Sequence, residues 1–452
     1  QNMSDEILQA SRKNMFSHCY FISQHSCTHR SSVDVCSDCG ASDPSWASIN
    51  RGLLLCAECC SVHRSMGRHI SHVKSLRQGS WPPSLLAVSA LTAQNVNSIW
   101  EHSLLDTSAP KHLRKKPQPK DPLHPIKSEF ILAKHLRLAY VLRARRDEPP
   151  SELGRQLHSA VRSSSLDTAM RLLAQGADPN YFNQEKGSTC LHVACRAGQP
   201  AQAELLVAWG ADPTARDSTN NTPADCARQG GHMELASRMV ELVYEATDRM
   251  IQSLTGVRPD HAAGRHYIVP RAHDAHEMTD VAKAARGKLQ LVSLPNHLFE
   301  ELVMDIYDEI DRRETEAIWQ TSATGLERCG VAFLPVNPAL SAPRNQGRQK
   351  LARLSAPEFA TLLRDVLLDA TRRQRIAALH PRGKHKDMPE NPTHLPYIYI
   401  INLWKSTVGP RPPLTSANPL GLMPCSRSRR KNYKGFIKLG KNYFATIHNP
   451  NV

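Results

Sequence analysis

Apolar residues recur at helical spacing along most of this chain, and the clearest case is a segment used twice. Phe299-x2-Leu302-x2-Asp305-Ile306 with Arg312-Arg313 returns at an offset of 60 residues as Phe359-x2-Leu362-x2-Asp365-Val366 with Arg372-Arg373. Steps of three and four residues place the Phe and Leu on one side, so each copy predicts an amphipathic helix with an apolar stripe and a charged end. Upstream, Lys288-Leu289 reads as returning in Lys350-Leu351, which makes the second copy two residues shorter in its approach to Phe359. Regularly spaced Phe and Leu on a helix are usually internal. The alternative is an apolar groove between the two helices, with Phe299, Leu302, Phe359 and Leu362 lining it for a partner.

A second period lies upstream. Gly176-Ala177-Asp178-Pro179 returns as Gly210-Ala211-Asp212-Pro213, and Thr189-Cys190-Leu191-His192 returns more weakly as Thr222-Pro223-Ala224-Asp225. Periods of 34 and 33 residues with these phrases resemble ankyrin repeats, each a turn and a helix pair. Helix pairs are expected at about 155–176, 189–210 and 222–243, and three is the usual minimum for a stack that buries its own core. Cys190 stands where Pro is usual and Pro223-Ala224-Asp225 lacks the Leu-His pair, which weakens the helix starts only. Such an array binds proteins or acts as a rigid spacer. Nearer the N-terminus, Leu85, Val88 and Leu91, then Ile99 and Trp100, suit one helix face each, with Asn95 and Asn97 marking the turn between. An amphipathic helix is expected over 128–144.

Candidate chemistry sits before all of these helices, in Cys36-x2-Cys39-x16-Cys56-x2-Cys59. Each CxxC turn aims two sulfurs the same way, and the intervening loop is long enough to close a tetrahedron, so the spacing predicts a zinc site. Four thiolates make a closed structural site with no open position for a catalytic water. Cys60 reads as a small buried hydrophobe rather than a fifth ligand. Arg64 follows on what should be the first helix after the last ligand. A guanidinium mounted so rigidly can neutralise charge developing on a γ-phosphate, although composition alone also fits a solvated helix arginine.

Charge has to be located before it is interpreted. The formal net charge is +15, but the last 77 residues, 376–452, hold twelve Lys and Arg against Asp387 and Glu390, so +10 lies there. The cysteine segment is close to neutral, whereas a DNA-binding finger with two CxxC pairs carries its basic residues on the finger. Nucleic acid is therefore not an expected partner. Lys111 to Lys120 carries five Lys and Arg and no acid, a solvated loop or a contact for anionic lipid or an acidic partner. The remaining cysteines are scattered, which points to a reducing compartment, and the longest apolar run is about half the ~20 residues of a membrane span. A soluble intracellular protein is expected.

The run Trp46-Ala47-Ser48-Ile49-Asn50-Arg51-Gly52-Leu53-Leu54-Leu55-Cys56, the cysteine spacing with Arg64 four residues beyond Cys59, and His69-Ile70-Ser71-His72-Val73-Lys74-Ser75-Leu76 resemble the zinc-finger module of Arf GTPase-activating proteins. The resemblance implies that Cys36, Cys39, Cys56 and Cys59 hold one structural zinc ion and that Arg64 is the catalytic arginine finger, with Trp46 and Ile49 packing or docking the GTPase. With ankyrin repeats and paired helices like those of a Spa-homology domain following in that order, the chain is identified as a member of the GIT family. The implied fold is mainly α and multidomain: a disordered extension (1–33), a small α/β zinc-finger GAP domain (34–146), an ankyrin helix-pair array (153–250), a linker (251–281), helical Spa-like repeats (282–375) and a disordered, basic, proline-rich tail (376–452). The implied function is activation of an Arf-family GTPase in its GTP form, without substrate turnover of its own, plus scaffolding of PIX exchange factors and focal adhesion kinase. The alternative is a non-catalytic adaptor whose zinc module only binds partners. The family's placement is cytoplasmic, peripheral at endosomal membranes and cell adhesions. Residues 375–452 lack heptads and so depart from the family's coiled coil and paxillin-binding domain; a truncated form or retained non-coding sequence is expected, without coiled-coil dimerisation or paxillin binding.

Overall fold

A computed structural model describes residues 35–77, 95–104, 115–143, 149–265, 291–322 and 330–379. The expectations for the N-terminal extension, the helix face of Leu85, Val88 and Leu91, the start of the basic cluster at Lys111, Lys288-Leu289 and the tail beyond residue 379 lie outside the described residues.

The finger unit is built on a three-stranded antiparallel sheet of β1 (Trp46–Ser48), β2 (Leu53–Leu55) and β3 (Val73–Ser75), ordered β2-β1-β3 with Trp46 opposite both Leu55 and Ser75. The tight turn into β2 is made at Gly52, whose φ of 66° is left-handed and costs little only without a Cβ. Helix α1 (Ala57–Met66) begins between two of the cysteines rather than after the last one. The reason is that Cys56 is its N-cap, with the sulfur accepting from the Cys59 N–H at 3.5 Å.

One buried core runs from Trp46, Leu53 and Cys60 through Ile99 and Trp100, the whole of α2 (Asn97–Trp100) being one turn, into the repeats beyond. The helix expected over 128–144 is shorter and irregular. Only α3 (Ser128–Ile131) is regular, flanked by wider turns over Leu123–Lys127 and Leu132–Leu136, and Leu138 at φ 51° cannot continue a right-handed helix. This reversal brings Tyr140 back onto Phe130, ring centroids 5.6 Å apart, so burial overrides the helical pattern.

Three helix pairs follow: α4 (Pro150–Ala160) with α5 (Leu166–Gln175), α6 (Cys190–Arg196) with α7 (Pro200–Ala208), and α8 (Pro223–Gln229) with α9 (Met233–Thr255). The irregular helix starts are repaired locally. Thr189 forms a capping box with His192, and Thr222 forms the same box with Asp225, which takes the histidine's part. Helix α9 runs to Thr255, beyond the expected ends of the third pair at 243 and of the array at 250. Met250 and Ile251 explain the extension, being buried in the core of the next unit.

That unit comprises α10 (Asn296–Ser322), α11 (Ala342–Leu351) and α12 (Ala356–Leu379). Its two copies clasp each other reciprocally. The Arg313 guanidinium lies 4.0 Å over the Phe359 ring and donates to the carbonyls of Leu351 and Leu354, while that of Arg373 lies 4.3 Å over Phe299 and donates to those of Leu291 and Leu294. Leu291 and Leu294 thus correspond to Leu351 and Leu354 at the same offset of 60, which corrects the two-residue shortening expected from Lys350-Leu351. Phe299, Leu302 and Phe359 are core, and Leu362 packs half-buried against them. Among the described residues no helix is long and apolar enough to cross a membrane.

Candidate functional site

The sulfurs of Cys36, Cys39, Cys56 and Cys59 converge, all within 4.8 Å of one another. Hydrogen bonding to Cys36 holds the Cys39 thiol well below its ordinary range and pushes that of Cys59 well above it. A four-sulfur donor set of this kind is a zinc-binding site, because a dication lets all four be thiolates at once. Cys60 is buried in the core that also holds Trp46 and Leu53, and burial raises its pKa.

The knuckle between Cys36 and Cys39 is locked to α1 by a buried polar network. Asp38 receives hydrogen bonds from Lys134 Nζ at 2.9 Å and pairs with His63 Nε2 at 2.8 Å and His135 Nε2 at 3.1 Å. Burial would raise the Asp38 pKa, but Lys134 and His63 hold it well below the usual carboxylate range. Asp38, His63 and His135 have the spacing of a metal site. The ammonium already on Asp38 makes the cluster an ion-pair network instead. Its consequence falls on Arg64, the next residue along the helix from His63.

Arg64 is 6% exposed, although a docking guanidinium has to be reachable. Its carbon lies 4.4 Å over the Trp319 ring of α10, and Nη2 pairs with the Glu316 carboxylate. Glu316 is held for this contact by the Val331 N–H at 3.1 Å. Two donors at the contact, Arg64 Nη1 and Trp319 Nε1, are buried without a hydrogen-bond acceptor among the described residues. Around Arg64 the finger presents more cations, and each is matched. Arg68 donates to Asp308 at 2.8 Å and to the Tyr307 hydroxyl at 3.1 Å, and Lys74 pairs with Asp311. His72 lies 3.5 Å from Asp311, yet burial and Arg68 push its pKa down to about 4. Lys74 and His72 in turn hold Asp311 well below the carboxylate range against its burial.

Trp46 and Ile49 are both interior. Trp46 packs on Trp319, ring centroids 5.4 Å apart, and Ile49 forms a small buried cluster with Ala47 against which Ala208 of α7 packs. Arg51 adds a tie to the repeats, its guanidinium lying 4.6 Å over Trp100 and 5.4 Å over Trp209. Sequence reasoning missed the acidic face of α10. Its signal was available in the spacing of Asp308, Asp311, Glu316 and Trp319, which share one side of a helix, but nothing in that spacing says what the face meets.

Three family models match the chain. Residues 23–141 match the ArfGap model, described as "GTPase activating protein for Arf", residues 157–249 match ankyrin repeats in three copies, and residues 285–315 and 347–375 match the Spa2 homology domain (SHD) of GIT. The chain is 53% identical over 385 residues to the ARF GTPase-activating protein Git of Drosophila melanogaster, covering 81% of this chain and 52% of that protein. It is 54% identical to ARF GTPase-activating protein GIT2 of Mus musculus (79% of this chain, 51% of the relative) and 56% identical to ARF GTPase-activating protein GIT1 of Homo sapiens (77% and 46%). The chain spans about half the length of the curated relatives it matches.

Proposed function

This chain belongs to the GIT family of Arf GTPase-activating proteins, and on that premise we propose that its finger unit stimulates GTP hydrolysis by an Arf-family GTPase, with Arg64 as the arginine finger. The observation that carries this reading is the mounting of Arg64. It stands on a helix capped by one metal-ligating cysteine and containing another, beside a histidine locked to the knuckle that holds the other two.

A single zinc ion held by Cys36, Cys39, Cys56 and Cys59 would be structural, since four protein sulfurs leave no position for substrate or water. The chemistry then falls to Arg64. Its planar fork can donate to phosphate oxygens at two points and neutralise the charge that builds as the γ-phosphoryl departs, while the GTPase orients the attacking water. Arginine fingers are worth roughly 10³ to 10⁵ in rate for GTPases generally. Single-turnover GTP hydrolysis by an Arf protein tests this directly. Arg64→Lys keeps the charge and loses the fork, and is expected to lower the stimulated rate roughly tenfold or more with folding unchanged. Equal rates for the two proteins would refute the assignment.

The paired helical repeats are proposed to bind PIX exchange factors and focal adhesion kinase, at peripheral sites on endosomal membranes and cell adhesions. With Phe299, Leu302 and Phe359 in the core, the surface for this is built on outward apolar positions such as Leu368 and Ile376. A second reading, a non-catalytic adaptor, is favoured by one observation: Arg64 is covered.

A further inference from the structure

We infer that α10 is an autoinhibitory strap, its acidic face occupying the finger's GTPase-docking surface so that stimulation of hydrolysis requires α10 to leave. The inference rests on the reading of Arg64 as the arginine finger and adds how that finger is regulated.

The occlusion is specific in chemistry. An arginine finger works by presenting its guanidinium to phosphate oxygens, and here a carboxylate of the same chain already takes that place on Nη2 while an indole covers the flat face. One guanidinium cannot stack on Trp319 and also enter the nucleotide site of a second protein. The neighbouring cations are occupied by the same helix: Arg68 by Asp308, and Lys74 by Asp311. Asp308, Asp311 and Glu316 fall along one side of α10 at steps of three and five residues, and Trp319 follows at a further three. The strap thus reproduces, as a row of carboxylates, the negative charge that a nucleotide-bound GTPase would bring. The Spa-type unit also closes on the end of α1: a Cβ at Gly67, where φ is 90°, would approach Pro335 to 3.2 Å.

The arrangement is built to release as well as to hold. Asp308 is shared, accepting from Arg348 of its own unit at 2.8 Å as well as from Arg68, so it keeps a partner after α10 departs. Asp305, fully buried, pairs with Arg344 and Arg348 and anchors α10 within its own unit, independent of the finger. At the contact itself, Arg64 Nη1 of the finger and Trp319 Nε1 of α10 have no acceptor among the described residues while α10 is docked, and undocking returns both to water. These two unmet donors are a cost of the docked state that undocking relieves, set against the ion pairs that docking makes.

The test uses the full chain carrying Asp311→Lys and Glu316→Lys, which set like charges against Lys74 and Arg64. Arf GTP hydrolysis is measured in single turnover at sub-saturating protein, and backbone hydrogen exchange is followed over residues 62–74. If docking hides the finger in nine molecules of ten, release raises the stimulated rate about tenfold, and exchange over 62–74 rises with it. Arg64→Lys added to the double variant must return the rate to the low level. A rate that stays at the wild-type value while exchange rises overturns the strap and leaves the GAP reading intact. Exchange unchanged by two charge reversals shows that α10 does not cover this surface and overturns it as well. No stimulation by either protein, with or without Arg64→Lys, removes the GAP reading and the strap with it.

Discussion

Acidification should loosen α10 from the finger, and His72 sets the pH at which it does so. Docked, the imidazole is half-buried against α10, its Nε2 covered, with Arg68 and Lys74 on its own unit and Asp311 across from it; desolvation and the two cations outweigh Asp311 and push its pKa from 6.5 to about 4. Undocked and solvated, it returns toward its ordinary value. The undocked form therefore binds the proton first, so the contribution is complete above about pH 6.5 and is lost as pH falls through 4. Taking 6.5 and about 4 for the two states, linkage gives a loss of roughly 2 kcal/mol at pH 5 and at most about 3 kcal/mol at lower pH. Two kcal/mol moves the docked-to-undocked ratio about thirtyfold. Asp311, held well below its usual range, stays ionised at pH 5 and does not reverse the sign. Hydrogen exchange over residues 62–74, corrected for the intrinsic pH dependence, should show protection falling between pH 7 and 5 in the wild type and a flatter profile in His72→Asn. Identical profiles for the two proteins, or protection that grows toward acid, would refute the reasoning.

Chelation, or Cys56→Ser, should unfold the finger unit and leave the ankyrin helices formed, since a four-cysteine site carries roughly 10 to 16 kcal/mol of apparent binding free energy; stoichiometric zinc by metal analysis and helical circular dichroism of the chelated chain check it. Glu300 is buried, with Oε1 lacking a partner among the described residues, and burial pushes its carboxyl up to about 8. Its contribution is present below about pH 4.5 and is lost as pH rises through 8, on the order of 3 kcal/mol between pH 5 and pH 8, so Glu300→Gln should raise Tm at pH 8 with little effect at pH 5. Arg373→Ala strips two donors from the Leu291 and Leu294 carbonyls and the cover from Phe299, and should cost about 2–4 kcal/mol in urea unfolding, with Arg313→Ala similar because the clasp is reciprocal.

Sequence alone determined whatever depends on spacing along the chain. Two CxxC pairs fix four sulfurs to one point because each pair is a single turn, and Arg64 inherits its position from them. The 34- and 33-residue phrases and the 60-residue repeat set the helix pairs and the Phe and Leu core, since helical periodicity decides which side chains share a face. Capping absorbed the deviations at Cys190 and Asp225 within three residues. Tertiary structure decided the rest. Helix α9 passes its expected end because Met250 and Ile251 are buried by a different unit, and Leu138 ends a helix early so that Tyr140 can reach Phe130. Most consequentially, Arg64 meets Glu316 across 252 residues and Arg68 meets Asp308 across 240. A charge along a sequence carries its sign but no address. Which carboxylate it meets depends on how three units stack through one shared core, and that stacking put a helix over the arginine that the spacing alone would have left exposed.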